Sequence, residues 1–430
     1  MLNNKKNSLL QNIIYTNILL LPFLLITGPF LSDLVISING IIFTYLSIKE
    51  KNFLFFKIKL VKILILVWLL FIVSSIVSEF KFFSLKSSFL YFRFILFAGS
   101  IYFVKDKLLK MNYVKFVAFI LPSTIISLDV IFQNYFGFNI LGITSWDPSR
   151  NSSFFGDEHI SGSYIVRMLP ISLLYVYWFI KEKDNNHLFY LLFAFLLIST
   201  IAVLLSGERT AFLLILLFNV YFLMTFSKLK FFSMIFSFIL VFAIIMILNF
   251  SKTSYNRMIN DTLNDTGLSY FFNNFNFKKD NKILHQPTLK KIGPHLSHYY
   301  ASLLMYKDHK ILGVGPKNFR KLCKKEKYII NSFSCASHPH STWIQILTEA
   351  GIFSFFILIF LFAFVMKNFF QYVINNFKKN FDNMNDEKVI ILGAFLITLW
   401  PLIPSGNFFN NWLSIVYFFP VGFYLIVNEK

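Results

Sequence analysis

The chain has 430 residues, 56% of them hydrophobic and only 14% charged, with 58 phenylalanines and a formal net charge of +20. A soluble domain of this length carries roughly a quarter charged residues, and here the apolar residues fall in long runs instead of alternating with polar ones. Composition therefore excludes an ordinary soluble globule and indicates an all-α polytopic membrane protein.

Taken in chain order, runs of roughly 17–25 apolar residues predict about twelve transmembrane helices. Their limits are 9–27, 31–48, 60–78, 87–104, 113–132, 161–180, 188–205, 210–226, 231–249, 343–366, 387–404 and 410–427. The first run follows Lys5 and Lys6. Further spans stand behind it and no small-residue cleavage site follows, so it reads as a first transmembrane helix and not as a signal peptide. No internal repeat is visible. The whole chain, 1–430, reads as a single transmembrane domain whose long interruption, 250–342, lies between helices 9 and 10.

Basic residues set the expected orientation. With the N-terminus in the cytoplasm, the even-numbered connections hold Lys49 and Lys51, Lys105 and Lys107, Lys181 and Lys183, and Lys367 and Lys378, while the short odd-numbered ones hold few. The positive-inside bias then puts both termini in the cytoplasm and segment 250–342 outside. That outer segment is itself basic, through Lys278, Lys279, Lys282, Lys290, Lys291, Lys307, Lys310, Lys317, Arg320, Lys321, Lys324, Lys325 and Lys327. Long loops translocate regardless of charge. Such a loop asks for an anionic partner: phosphate on a lipid-linked substrate, or the headgroups of membrane lipids. Nucleic acid is not expected there.

Arg93, Arg167 and Arg209 lie in the fourth and sixth predicted spans and at the start of the eighth. In this topology all three fall in the outer half of the membrane. Intramembrane cations usually face a cavity or a partner, and guanidiniums offer the planar, permanently charged donors that suit a diphosphate. The alternative for each is snorkelling to headgroup phosphate. Asp157, Glu158 and His159 precede the sixth span but make no full metal-ligand set. No nucleotide-binding loop, dinucleotide fingerprint or nucleophile elbow occurs, so neither metal nor cofactor is expected.

Both cysteines, Cys323 and Cys335, fall in the outer segment and are a disulfide candidate; two free thiols are the alternative. A bridge closing so short a loop is worth about 3 kcal/mol. Immediately beyond stands Cys-Ala-Ser-His-Pro-His-Ser-Thr-Trp-Ile-Gln (335–345). Thr342 and Gln345 fit a capping box, which places His340 just before a helix that runs into the membrane. The positive end of that helix disfavours imidazolium, and a neutral imidazole can accept a proton.

The stretches Ile-Leu-Gly-Val-Gly-Pro-Lys-Asn-Phe-Arg (311–320) and Ser-His-Pro-His-Ser-Thr-Trp-Ile-Gln-Ile-Leu-Thr-Glu-Ala-Gly (337–351) resemble the C-terminal signature of the O-antigen ligase and polymerase superfamily. The ligase motif is His, then Asn, Ser or Gln, nine residues, Gly, two residues, then Gly, Thr or Tyr. His340, Ser341 and Gly351 match it, and Ser354 departs at its last position. Arg209 and Leu213 resemble the family's Arg-x-x-x-Leu element. Where many members carry a further arginine ahead of the Gly-Val-Gly segment, this chain has His298, with Arg257 further back, and either could take over a phosphate contact.

The resemblance implies a metal-independent inverting glycosyltransferase of the bacterial inner membrane, active at the periplasmic face. It would move a glycan from undecaprenyl diphosphate to a hydroxyl of lipid A-core. His340 would be the base, and Arg209, Arg167 and Arg93 would hold the diphosphate. His338, His298, Lys317 and Arg320 would guide the substrate. Gln345 and Glu349 would orient the acceptor or pair with neighbouring helices. A polymerase joining lipid-linked repeats uses much the same residues and remains the alternative, as does transfer to a protein hydroxyl. A lipid-linked glycan transporter is the reading from a different class.

Overall fold

The computed structural model describes residues 2–183, 186–226, 230–265, 293–378 and 385–429. Lys278, Lys279, Lys282, Lys290 and Lys291 lie outside the described residues. The described chain is helical, and the one bridge outside helices joins Phe138 and Thr144.

The principal helices are α1 (Leu2–Leu24), α2 (Pro29–Lys49), α3 (Lys59–Val77), α4 (Lys81–Phe103), α5 (Tyr113–Phe136), α6 (Ser161–Glu182) and α7 (Tyr190–Leu205). They are followed by α8 (Arg209–Thr225), α9 (Lys230–Phe250), α10 (Pro294–Asp308), α11 (Thr342–Phe377), α12 (Asp386–Leu399) and α13 (Asn411–Glu429). Each predicted apolar segment coincides with a helix. Among the described residues, seven helices are long and apolar enough to cross a membrane, or eight if the bent pair Ile235–Phe250 and Lys252–Leu263 counts as one span. Length and composition thus support seven or eight of the roughly twelve expected spans among the described residues. The helices α7 and α8 are shorter apolar helices of 16 and 17 residues, and α1 opens on two polar turns. The chain is a multi-pass membrane protein.

Local chemistry sets the ends. Pro29 starts α2 after Gly28 (φ 106°), where its missing N–H costs nothing. Asn112 caps α5 by accepting from the Lys115 amide, and Gly137 ends that helix in the left-handed region at φ 81°, as C-terminal glycines do. Asn385 caps α12, with Asp386 and Glu387 in its first turn.

The core lies where α6 and α13 run through the bundle. Their apolar windows are 89% and 78% buried, against 22% for α3, which presents its surface outward. Since lipid is as apolar as leucine, close side-chain packing holds such helices together. The Phe119 and Tyr175 rings, for example, stack at 4.0 Å between α5 and α6. A second, smaller core belongs to segment 293–342. Ala301 and Met305 of α10 pack there with Val314, Phe319, Leu322, Cys323 and Tyr328. That segment is thus a folded cap and not a loose connection.

Candidate functional site

Three distant stretches meet at the site: the first turns of α10, the turn 337–342 before α11, and the connection 400–410 between α12 and α13. The His340 ring lies 4.1 Å from that of His338, 5.1 Å from His295 and 5.2 Å from His298, centroid to centroid. Of these, His295 was not singled out from the sequence, because nothing local distinguishes it.

His340 itself has φ +60°, a left-handed conformation uncommon for a residue with a side chain and worth on the order of 1–3 kcal/mol in strain. The fold holds it there through its carbonyl, which accepts from the Ser405 amide at 3.0 Å and from the Tyr299 hydroxyl at 3.5 Å. Neither of its ring nitrogens bonds to another described residue, so the ring is open to a substrate proton. Burial, then the neighbouring His338, His295 and His298, push its pKa down to about 3. His338 is engaged at both nitrogens. Its Nε2–H donates to the Ser405 carbonyl at 3.3 Å, which leaves Nδ1 to accept from the Ser337 hydroxyl at 2.8 Å. Burial lowers His338 to about 4. The His298 Nδ1 is buried without a hydrogen-bond partner among the described residues, and burial with His295 beside it lowers the pKa of this group too.

The expected capping box is corrected. Ser341 is the N-cap of α11, accepting from the Ile344 amide at 3.4 Å. Thr342 turns instead to Ser405, its amide donating to that hydroxyl at 2.6 Å. Gln345 does not reach back, because the 400–410 connection uses it. It donates to Asn407 at 2.8 Å and to Glu349 at 2.9 Å, and accepts from the Phe408 amide at 2.9 Å. Glu349 accepts from the Phe319 amide at 2.9 Å. Both Gln345 and Glu349 are fully buried, and these contacts tie the turns around the site together.

Nor does the helix run unbroken into the membrane. Gly351 (φ 77°, ψ −179°) breaks α11 just beyond Ala350. The Gly-Val-Gly turn docks against that break: the Val314 amide donates to Thr348 at 2.9 Å, the Gly315 amide to Glu349 at 2.9 Å, and the Ile352 amide to Lys310 at 3.2 Å. A Cβ on Gly351 would lie 2.2 Å from the Ile311 carbonyl oxygen. The spacing from His340 to Gly351 is therefore that of a short helix with a turn on one end and a docked break on the other.

The three predicted arginines have different neighbourhoods. Arg93 on α4 pairs with Asp33 on α2 at 2.7 Å, and Asp33 also accepts from Asn411 at 3.2 Å. Arg167 on α6 is buried, donates to Thr398 at 3.1 Å and stacks over Tyr417 at 5.1 Å. Arg209 opens α8, half-buried, in a set with Arg150 and Arg257. Burial depresses the Arg150 pKa first; Glu208 opposes this, and Arg257, then Arg209, add to the depression. Arg257 donates to the Gly207 carbonyl at 3.3 Å, directly ahead of α8. His159 bonds Ser145 at 2.8 Å. Among the described residues, no group of three or more His, Cys, Asp or Glu is placed to hold a metal.

Lys317 (φ 64°) follows the Gly-Val-Gly-Pro turn. Burial lowers its pKa first, and Arg320 and Arg93 add to this while Glu349 and Asp33 oppose it. Cys323 and Cys335 form a disulfide with their Cα atoms 5.0 Å apart. It joins the short helix Phe319–Leu322 to the turn that carries the histidines.

Residues 193–359 match the family model described as O-Antigen ligase. In this stretch the chain is similar to the O-antigen ligase family. The match covers well under half of the chain, but it takes in Arg209, His298, Lys317, Arg320, both cysteines, His338, His340, Gln345 and Glu349. Arg93, Arg167 and Ser405 stand outside it. No curated protein matches the chain.

Proposed function

We propose that the protein is an O-antigen ligase-type glycosyltransferase with His340 as its general base. The observation that carries this reading is the His340 ring: its pKa lowered by burial, without a hydrogen-bond partner at either nitrogen among the described residues, and held by a strained backbone at the meeting point of three segments. The acceptor hydroxyl gives its proton to a His340 nitrogen as its oxygen forms the new bond to the anomeric carbon. The bond from that carbon to the carrier diphosphate breaks with inversion, and the diphosphate leaves with the electron pair. Arg209, set beside Arg150 and Arg257, offsets the charge that grows on the leaving group, with Arg167 and Arg93 as further cations of the membrane bundle. The diphosphate's charge also raises the basicity of a nearby imidazole toward the operating pH.

The donor in this reading is a glycan on undecaprenyl diphosphate and the acceptor a lipid A-core hydroxyl. The protein would lie in the bacterial inner membrane with both termini cytoplasmic and the site periplasmic. The positive-inside bias supports that orientation, and the disulfide suits an oxidising compartment.

The test is transfer of radiolabelled glycan by purified protein in liposomes, with and without lipid A-core, for wild type and His340→Ala. Label reaching lipid A-core, and lost in the variant, is the expected result. Growth of the donor chain without lipid A-core would make the protein a polymerase. Donor crossing the bilayer without transfer would make it a transporter.

A further inference from the structure

Beside the histidine turn lies an open pocket of about 600 Å³, lined by Phe83, Arg320, Lys321, Lys324, Cys335, Ala336 and Ser337. Its volume is within the roughly 300–1,000 Å³ of small-molecule sites. Every charge lining it is positive. Two lysines from the same stretch are neutralised elsewhere, Lys325 by Glu79 at 2.5 Å and Lys327 by Asp308 at 2.7 Å. The three pocket cations have no such ion pair among the described residues. The Arg320 Nε is buried without a hydrogen-bond partner among the described residues. Lys321 is held over the rings of Phe83 at 4.2 Å and Phe80 at 4.8 Å, which fixes its ammonium without discharging it.

The walls are crosslinked and continuous with the site. The Cys323–Cys335 bridge joins the short helix before Lys324 to the turn bearing Ala336 and Ser337. The Ser337 hydroxyl bonds His338 at 2.8 Å, whose ring is 4.1 Å from that of His340. An enzyme that joins two lipid-linked glycans must seat two molecules at once. The cations fall into two sets: Arg257 and Arg209 around Arg150, and Arg320, Lys321 and Lys324 lining the pocket. The first set is assigned above to the donor diphosphate.

We propose that the Arg320–Lys321–Lys324 pocket is the acceptor subsite and that it takes an anionic substituent, phosphate or carboxylate, on the acceptor sugar. This rests on the glycosyltransferase reading for the identity of the second molecule. The charge and shape of the pocket stand independently of it.

The test reads binding, not turnover, so a failed transfer assay leaves it standing. Full-length protein in nanodiscs of neutral lipid is titrated with a sugar phosphate oligosaccharide, a uronic-acid oligosaccharide and their uncharged parent. At least one anionic probe should bind 10-fold or more tighter than the parent, and which one does so separates phosphate from carboxylate. Lys321→Gln/Lys324→Gln should lose that preference, and Lys321→Arg/Lys324→Arg should restore it, which separates lost charge from lost fold. Equal binding by parent and anionic probes would overturn the proposal, as would an unchanged preference in the glutamine variant. Competition by undecaprenyl diphosphate would reassign the pocket to the donor. Loss of glycan binding in nanodiscs containing phosphatidylglycerol would reassign it to lipid headgroups.

Discussion

The Ser405 amide donates to the His340 carbonyl at 3.0 Å, joining the turn before α11 to the connection before α13. The same serine's hydroxyl accepts from the Thr342 amide at 2.6 Å, and its carbonyl accepts from His338 at 3.3 Å. One residue thus sets the backbone of one histidine and the tautomer of the other. Ser405→Ala removes both bonds to Thr342, that from its amide and that with its hydroxyl, and keeps the two made by backbone. It should cost about 0.5–1.5 kcal/mol and lower kcat several-fold with the donor KM unchanged. Steady-state kinetics and a thermal melt of the purified variant check both.

His340→Ala should lower transfer by roughly 10²–10⁴-fold, the range for loss of a positioned base, while donor binding persists. His338→Gln should be milder, since both of its ring nitrogens already serve the protein. Single-turnover rates beside donor-binding isotherms decide this. Equal losses in the two variants would move the base assignment away from His340.

The pH dependence follows from the depressed imidazoles. Against an ordinary histidine value of about 6.5, His338 falls to about 4 and His340 to about 3 in the folded protein. His340 therefore stays unprotonated across pH 5–8, and kcat/KM should show no acid limb centred near 6.5. Stability runs the other way. As pH falls from about 6.5 toward about 3, the unfolded chain takes up protons that the folded site does not, so the folded form is progressively destabilised. The melting temperature should fall between pH 7 and 4.5, and by less in His338→Asn.

Gly351→Ala should be severe. The position is left-handed at φ 77°, and the added Cβ would meet the Ile311 carbonyl oxygen at 2.2 Å. The Gly-Val-Gly turn would have to undock, losing several backbone hydrogen bonds at about 0.5–1.5 kcal/mol each. Low yield of folded protein is the expected outcome. A variant with wild-type stability and activity would show that the break in α11 is dispensable.

Cys323→Ser/Cys335→Ser should lose about 3 kcal/mol of stability, by the loop-entropy argument. The damage should concentrate in segment 293–342, whose small core includes Cys323. Hydrogen exchange should rise at residues 319–341 and stay unchanged in α6.

Much of the arrangement was legible beforehand because the signals are local. Apolar runs located the helices, since a backbone in lipid must satisfy its own hydrogen bonds. The spacing of His340, Ser341 and Gly351 marked a motif. The Cys323–Cys335 separation allowed a bridge, and the structure forms it. The partners of these residues were not legible. Asp33 is one acid in an apolar helix, and its role appears only once α2 lies against α4. His295 and Ser405 carry no distinguishing neighbours. Gln345 fitted a cap, but fully buried side-chain amides go wherever unpaired polar atoms need them, and here those belong to the 400–410 connection.

The sequence by itself determined that the chain is helical and membrane-embedded, where its chemistry-bearing motif lies, and which family that motif resembles. Periodicity, composition and spacing all act over a few residues. Tertiary structure alone decided which histidine keeps its nitrogens open, which cations are paired off, and that Arg320, Lys321 and Lys324 line one pocket. These outcomes depend on burial and on hydrogen bonds between segments tens to hundreds of residues apart, which no local pattern encodes.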